Sequence, residues 1–531
     1  MTNFSPFFSA ERTQASVPSS RVKTSSPISR VKTSSPNSPV KTSVPVSRTL
    51  LSQTYSDVTT QGQWSDVVYL PLTPAGAAIL PNGKVLLWSA SNKYGFTTGT
   101  NPQTWTSIFD PNTLQATDTL IVETQHEMFC PGVSHLADGR ILIAGGSDAG
   151  HTTIYNPFND TWQSDQGLSI PRAYESSVTL SDTRVFTVGG SWNGGQGGKN
   201  GEVWTDGSGW SPLYDAQVDP MIGPDPEGVY RGDNHAWLFA APNGRVFQAG
   251  PSQQMNWYTT YGSGGVTSAG NRGDDTYSMN GTAAMYDVGK ILKAGGAESY
   301  GLGYPANDRT YVIDINNDVT VRKVGSMQYA RGFLNSVVLP NGQVIVIGGM
   351  PNPVVFSDNN AVMVPELWDP YSENWRTLAP MQIPRTYHSV ALLLPDGRIF
   401  SGGGGLCDCD VNHFDAQIYS PPYLFAPDGT LANRPTINSA PDRAVYGNTI
   451  QVNTDRYISS FSLVRFSAVT HTVNTDQRRI PLTFDTAYTN SYNIQIPGDP
   501  GIAPPGYYML FAFDSQGVPS IASNILIRGY Y

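Results

Sequence analysis

From about residue 65 the chain repeats one phrase of apolar and polar positions. A short apolar strand leads into a Pro/Asp-Asn-Gly kind of turn, a second apolar strand follows, and most copies close on a pair of glycines. The copies read LPNGKVLLWSA from Leu80, LADGRILIAGG from Leu136, LSDTRVFTVGG from Leu180 and APNGRVFQAGP from Ala241. YDVGKILKAGG from Tyr286, LPNGQVIVIGG from Leu339 and LPDGRIFSGGG from Leu394 complete the set of seven, spaced about 44–61 residues apart. Asn-Gly and Asp-Gly between apolar runs are strong hairpin signals, because the tight turn needs positive φ at both central residues. After the seventh copy the rhythm changes to short strands with turn signals between them: TIQVNT, SFSLVRFSA, RIPLTF, YNIQI, GYYMLFAF and SNILI.

A repeat near 50 residues with glycines after its second strand reads as a kelch-type unit, one four-stranded blade per copy. The expectation is an all-β chain: a seven-bladed kelch β-propeller over residues 61–433, followed by an immunoglobulin-like β-sandwich over residues 434–531. A generic sandwich would not produce seven copies in register.

Residues 1–60 follow no such pattern. SRVKTSSPI, SRVKTSSPN and SPVKTSVPV recur with a period of nine, and residues 1–50 carry seven basic residues and one acidic one. Ser, Thr, Pro and Lys at this density bury too little apolar surface to offset chain entropy, so a disordered tail is expected. No apolar core of a secretory signal is visible there. The whole chain of 531 residues has a net charge of −10, which argues against a nucleic-acid partner held by phosphate contacts. No apolar run reaches the length of a membrane span. The three cysteines, Cys130, Cys407 and Cys409, are too few for a disulfide scaffold.

In a propeller the first strand of each blade lines the axis, so equivalent repeat positions converge there. Eight residues before the turn Asp or Asn stand Cys130, Tyr174, His235 and His388, with Tyr387 beside the last. Four copies thus aim a redox-active or metal-ligating side chain at one place, where a purely structural channel would hold small apolar residues. Imidazole with phenolate suits Cu(II) better than zinc. A lone Cys beside a Tyr suggests ligand modification rather than a thiolate ligand. His388 next to Tyr387 is awkward for a regular strand, where neighbours face opposite ways. His126, His151 and His413 read as surface or loop residues.

MFCPG around Cys130, RAYESS around Tyr174, GGSWNGG around Trp192, RTYHSVALLLPDGR around Tyr387 and THTVNTDQRRIPL around His471 resemble the galactose oxidase branch of the copper radical oxidases. The similarity runs from about residue 65 to 528. It implies one copper ion held by Tyr174, Tyr387, His388 and His471. It also implies a Cys130–Tyr174 thioether that carries a radical, with Trp192 stacked over it. Catalysis would rest on Tyr174, Cys130, Tyr387 and Trp192, turning a primary alcohol and O2 into an aldehyde and H2O2. His471 lies in the second domain, so its loop must enter the propeller channel. His235 is expected to be structural or to donate to the site from behind.

The resemblance also places Arg231, Tyr300, Phe356 and Phe96 (or Tyr94) in the substrate pocket, and an Arg makes a good fork for a diol. Two departures weaken a sugar assignment: Gly301 stands where the family has Gln, and Val355 replaces a Pro. Galactose or a galactoside is the first expectation, and a general primary or aryl alcohol the alternative. A non-catalytic kelch module binding glycans or proteins would share the fold but not need the ligand set. The galactose-binding module that usually precedes the propeller is replaced by the nonapeptide repeats. GLCDCD is a shortened form of a family disulfide loop, and the Cys407–Cys409 pairing stays open. The family implies a secreted monomer, with which sequons at Asn159 and Asn280 are compatible.

Overall fold

Each of the seven phrases forms the two innermost strands of its own sheet in the computed structural model, which describes residues 57–96 and 102–529. The nonapeptide tail lies outside the described residues. The hairpin Ser176–Thr179/Val185–Val188 is typical: it continues outward through Glu202–Thr205 to Gly209–Pro212, each strand antiparallel to the last. Inner strands are covered on both faces by neighbouring blades, so Ile141–Ala144 and Val85–Trp88 are apolar without alternation and wholly buried. Outermost strands face water on one side and alternate, as Gln115–Ile121 does.

The ring is closed by pairing the first strand of the propeller with its last blade. The sheet of Val390–Leu393, Ile399–Gly402 and Asp415–Ser420 takes its outer strand from Gln63–Trp64, paired Gln63 to Ser420 and Trp64 to Tyr419. Trp64 Nε1 fixes that strand by donating to the Ala379 carbonyl at 2.8 Å.

The glycine pairs and a recurrent arginine explain each other. Arg172, Arg331 and Arg385 each donate Nη1 to the carbonyl of a first glycine, Gly189 at 2.8 Å, Gly348 at 3.0 Å and Gly403 at 2.9 Å. Nη2 of each reaches a carboxylate at the start of the third strand, Glu202 at 2.8 Å, Glu366 at 2.6 Å and Asp415 at 2.6 Å. These ion pairs are buried and hydrogen-bonded on both sides, as charge in a low-dielectric interior requires. Gly348 shows why no side chain fits: its φ is 72°, and a Cβ would sit 2.0 Å from the Arg385 carbonyl oxygen.

Residues beyond the propeller form two facing sheets. One orders Ile437–Ser439, Thr449–Thr454, Ser491–Gln495 and Phe484–Tyr488. The other orders Arg443–Val445, Ser523–Arg528, Gly506–Phe513, Ser460–Arg465 and Arg479–Leu482. Val452, Phe461, Leu463, Ile494, Leu510 and Ile525 fill the space between them. One strand of this region leaves the sandwich: Ala468–Thr470 pairs antiparallel with the innermost strand Gly76–Ile79 of a blade. No helix among the described residues is long and apolar enough to cross a membrane.

Candidate active site

In six of the seven blades the residue at or just before the innermost strand is a non-glycine with positive φ. These are Cys130 (62°), Tyr174 (65°), His235 (54°), Asn280 (60°), Phe333 (59°) and His388 (68°). Such a conformation costs energy for an L-residue and persists only where the surroundings hold it. Here the kinks are tied from blade to blade: Tyr174 N donates to Cys130 O at 3.0 Å, His235 N to Tyr174 O at 2.9 Å and Phe333 N to Asn280 O at 2.8 Å. The same kink resolves the Tyr387–His388 pair. They lie in a turn ahead of Val390–Leu393, so both rings face the axis with centroids 3.8 Å apart.

His471 arrives from below. Its loop enters the channel through the Ala468–Thr470 pairing and is held by Thr475 Oγ1 donating to Ser177 O at 2.6 Å and Gln477 Nε2 to Ser336 O at 3.0 Å. The rings of Tyr174, Tyr387, His388 and His471 then meet, with His471 4.8 Å from Tyr174, 5.6 Å from Tyr387 and 4.6 Å from His388. The Tyr174 and Tyr387 hydroxyls are 2.9 Å apart. Cys130 Sγ lies 3.3 Å from His471 Nε2 and beside the Tyr174 side chain.

The imidazoles are set as neutral donors of a lone pair. His388 Nδ1 lies 2.5 Å from the Gly405 carbonyl, which can only accept, so the proton is on Nδ1 and Nε2 is bare. That Nε2 is buried with no hydrogen-bond partner. Thr470 Oγ1 gives its proton to Ala75 O at 3.1 Å and so accepts from His471 Nδ1 at 2.8 Å, which leaves His471 Nε2 bare as well. Burial holds both rings neutral: it takes the His388 pKa down to about 3 and that of His471 well below the usual imidazole value. Burial pushes Cys130, Tyr174 and Tyr387 upward. Ligand atoms of Cys130, His388 and His471 all lie within 4.8 Å of one another. A metal with nitrogen and phenolate preferences fits this donor set, and it would give the orphaned His388 Nε2 the partner it lacks.

Around this centre Trp192 lies 4.8 Å from the Tyr174 ring, tilted by 31°. Tyr300 OH donates to Tyr387 OH at 3.0 Å. Phe96 stacks on Phe129 at 4.9 Å and on Phe356 at 5.8 Å, forming an aromatic wall. Tyr94 is not part of it; it is exposed and packs on Phe414. Arg231 engages Nε with Tyr230 OH at 3.2 Å and Nη1 with Tyr300 O at 2.6 Å, leaving Nη2 without a protein partner among the described residues. Gly301 has φ 69°, and a Cβ there would meet Val355 Cγ1 at 2.7 Å, so the two departures from the family pattern touch each other. Cys407 and Cys409 are joined by a disulfide. Their loop braces the segment carrying Phe96, with Asp408 N donating to Tyr94 O at 2.7 Å.

His235 lies where one of its two expected roles would put it, behind the ligands, with its ring stacked 5.1 Å from His471 and its Nε2 3.2 Å from Tyr300 OH. Other sequence expectations need correction. His126 is not a surface residue: it is fully buried between Thr153 Oγ1 at 2.9 Å and Gly145 O at 2.8 Å. His413 sits in a loop as expected, half-buried and hydrogen-bonded to Asp358 at 2.8 Å. The Asn280 sequon is buried at the channel, so glycosylation there is incompatible with the fold, whereas Asn159 is exposed. Sequence reasoning passed over Glu175. Burial pushes its pKa up to about 7, and its carboxyl faces the Gly132 amide without a hydrogen bond of ordinary geometry. Its place directly after Tyr174 was the available signal.

Comparisons with known proteins agree with this geometry. Residues 434–527 match the family described as "Galactose oxidase-like, Early set domain", and residues 289–419 match "Glyoxal oxidase N-terminus". A galactose oxidase of Gibberella zeae is 46% identical over 480 residues, covering 88% of this chain and 70% of that protein. An aldehyde oxidase of Vitis pseudoreticulata is 26% identical over 444 residues, 75% of this chain and 81% of its own. A solved fungal alcohol oxidase in complex with copper superposes with a TM-score of 0.85 at 42% identity, over 88% of this chain and 100% of that one. With close to half of its residues shared along most of its length, the chain belongs to the galactose oxidase family.

Proposed function

We propose that this chain is a copper radical oxidase that converts a primary alcohol to the aldehyde while reducing O2 to H2O2, with the C6 hydroxyl of galactose or a galactoside as first substrate. The observation that carries the reading is the convergence of two bare imidazole nitrogens and two phenols on one buried point, with a thiol beside one phenol. Tyr174, Tyr387, His388 and His471 would hold the copper, and Cys130 would join Tyr174 through a thioether. When bound, copper would supply a one-electron acceptor for alcohol oxidation, with the cross-linked Tyr174 ring as the acceptor of the second electron.

The remaining work falls to the chain. Tyr387 oxygen, hydrogen-bonded to the hydroxyls of Tyr174 and Tyr300, is the place for the alcohol proton. Trp192 covers the Tyr174 ring and keeps water from it. Arg231 Nη2 and the Phe96–Phe356 wall orient the substrate. All of these residues come from one chain, so a monomer suffices. Peroxide release and the exposed Asn159 sequon favour an extracellular setting.

A second reading, a general primary or aryl alcohol oxidase, is favoured by three features of the pocket. Arg231 has a single free arm, Gly301 offers no polar side chain, and the facing wall is aromatic. Intact mass tests the cofactor: after aerobic copper loading and then reduction of the Cys407–Cys409 disulfide, the protein should be about 2 Da lighter than its sequence mass, the two hydrogens lost when the Cys130 and Tyr174 side chains join, and Cys130→Ser should abolish the loss. An unchanged mass sinks the radical reading. A peroxide assay on galactose, raffinose, glycerol and benzyl alcohol separates the substrates, and equal efficiency on benzyl alcohol and galactose would reject the sugar assignment.

A further inference from the structure

Most aromatic neighbours of Tyr174 lead inward. Tyr300, His235, His471 and Tyr387 are all buried. Trp192 alone leads out. It is half-buried, and its other ring neighbours include Tyr230, at a centroid distance of 5.4 Å. Tyr230 is itself half-buried and sits at the rim. Its hydroxyl donates to Glu227 Oε2 at 3.2 Å, and Glu227 is exposed. The Tyr230 hydroxyl also accepts from Arg231 Nε at 3.2 Å, so holding Arg231 accounts for the hydroxyl but not for the ring contact to Trp192 or the carboxylate beside it. A tyrosine at the surface end of a chain of touching rings, with a carboxylate to receive its proton, has the parts that reversible one-electron oxidation needs: a short tunnelling gap on one side and a base on the other.

We propose that Tyr230 is the outer terminal of a one-electron relay, Tyr230–Trp192–Tyr174, through which outer-sphere oxidants too bulky for the channel set the oxidation state of the buried Tyr174 ring. In the balanced sequence the oxidant takes one electron from Tyr230, whose hydroxyl proton passes to Glu227 Oε2. Tyr230 then regains an electron from Trp192 and its proton from Glu227, and Trp192 regains an electron from the Cys130-substituted Tyr174 ring. The oxidant ends reduced by one electron, and Tyr174 ends oxidised by one. The inference rests on the proposed radical function.

The test uses copper-loaded full-length protein, reduced with ascorbate, desalted and mixed in a stopped-flow instrument with hexachloroiridate(IV) in the absence of alcohol. Bleaching of the oxidant and growth of the phenoxyl absorption are followed together. Tyr230→Phe should slow both by about tenfold or more. Tyr230→Trp, which restores a redox-active ring, should recover most of the rate. Glu227→Gln, an exposed change that does not threaten folding, should slow oxidation by removing the base. Equal rates in Tyr230→Phe and the unaltered protein overturn the relay, and so does an unaffected rate in Glu227→Gln. If the unaltered protein itself develops no phenoxyl signal, the radical function fails and the relay with it, an outcome distinct from failure of the relay alone.

Discussion

Gly348→Ala is the substitution through which the fold and the site can be examined together. Gly348 has a φ of 72°, and an L-residue there costs about 1–2 kcal/mol. Its new Cβ would lie 2.0 Å from the Arg385 carbonyl oxygen, about 1.4 Å short of ordinary contact, and the obstacle is backbone. Relief means separating two blades, which breaks the 2.7 Å hydrogen bond from Gly349 N to Arg385 O and strains the Arg331 Nη1 contact to Gly348 O. A neutral hydrogen bond contributes about 0.5–1.5 kcal/mol and one to a charged group about 1.5–3. The expected loss is therefore roughly 3–6 kcal/mol, a large share of the stability of an ordinary domain. Arg385 lies two and three residues before Tyr387 and His388, so the same shift should weaken copper binding. Urea unfolding followed by tryptophan fluorescence gives the first quantity, and copper titration of the folded fraction gives the second. Gly195→Ala is the control: its φ is 92° with nothing within 4 Å of a Cβ, so it should show the backbone cost alone. A Gly348→Ala protein within about 1 kcal/mol of the unaltered one would refute the account of the glycine pairs.

Four further outcomes are expected. Arg231→Lys cannot serve both Tyr300 O and a sugar hydroxyl, so kcat/KM on galactose should fall roughly 10- to 150-fold while benzyl alcohol is affected less; equal losses would remove Arg231 from sugar recognition. Arg331→Met leaves Glu366 buried without its ion pair and should cost about 3–5 kcal/mol in urea unfolding. Thr470→Val removes the acceptor that keeps the His471 proton on Nδ1, and copper affinity should drop with the fold intact by circular dichroism. His126 has a folded pKa of about 4 against 6.5, through burial, so the unfolded chain takes up a proton that the folded one refuses. Stability is full above pH 6.5 and falls toward pH 4, by on the order of 3 kcal/mol from this group. His126→Gln should flatten that slope relative to the unaltered protein, and parallel curves would show that His126 does not carry it.

What the sequence determined by itself was whatever is written locally and repeated. Turn chemistry and apolar runs located all seven inner hairpins: five turns carry Asn-Gly or Asp-Gly, and in the other two Thr183 and Gly289 take the positive φ that glycine takes elsewhere. Equal spacing from those turns picked out Cys130, Tyr174, His235 and His388, since repetition places equivalent residues around one axis. Tertiary structure decided what depends on partners distant in the chain. Ala468–Thr470 is apolar and short, and only the exposed edge of Gly76–Ile79 makes it a strand and carries His471 into the channel. His126 looked like a surface residue because a polar side chain is buried only when partners satisfy it, and Thr153 and Gly145 do so from elsewhere in the chain. The positive φ that turns Tyr387 and His388 to the same side carries no glycine of its own to announce it, because Gly405, whose amide donates to Tyr387 O and whose carbonyl accepts from His388 Nδ1, holds the strain. The repeat thus made Cys130, Tyr174, His235 and His388 legible, His471 and Trp192 were readable only through the family resemblance, and the way the rings meet was settled by packing between blades.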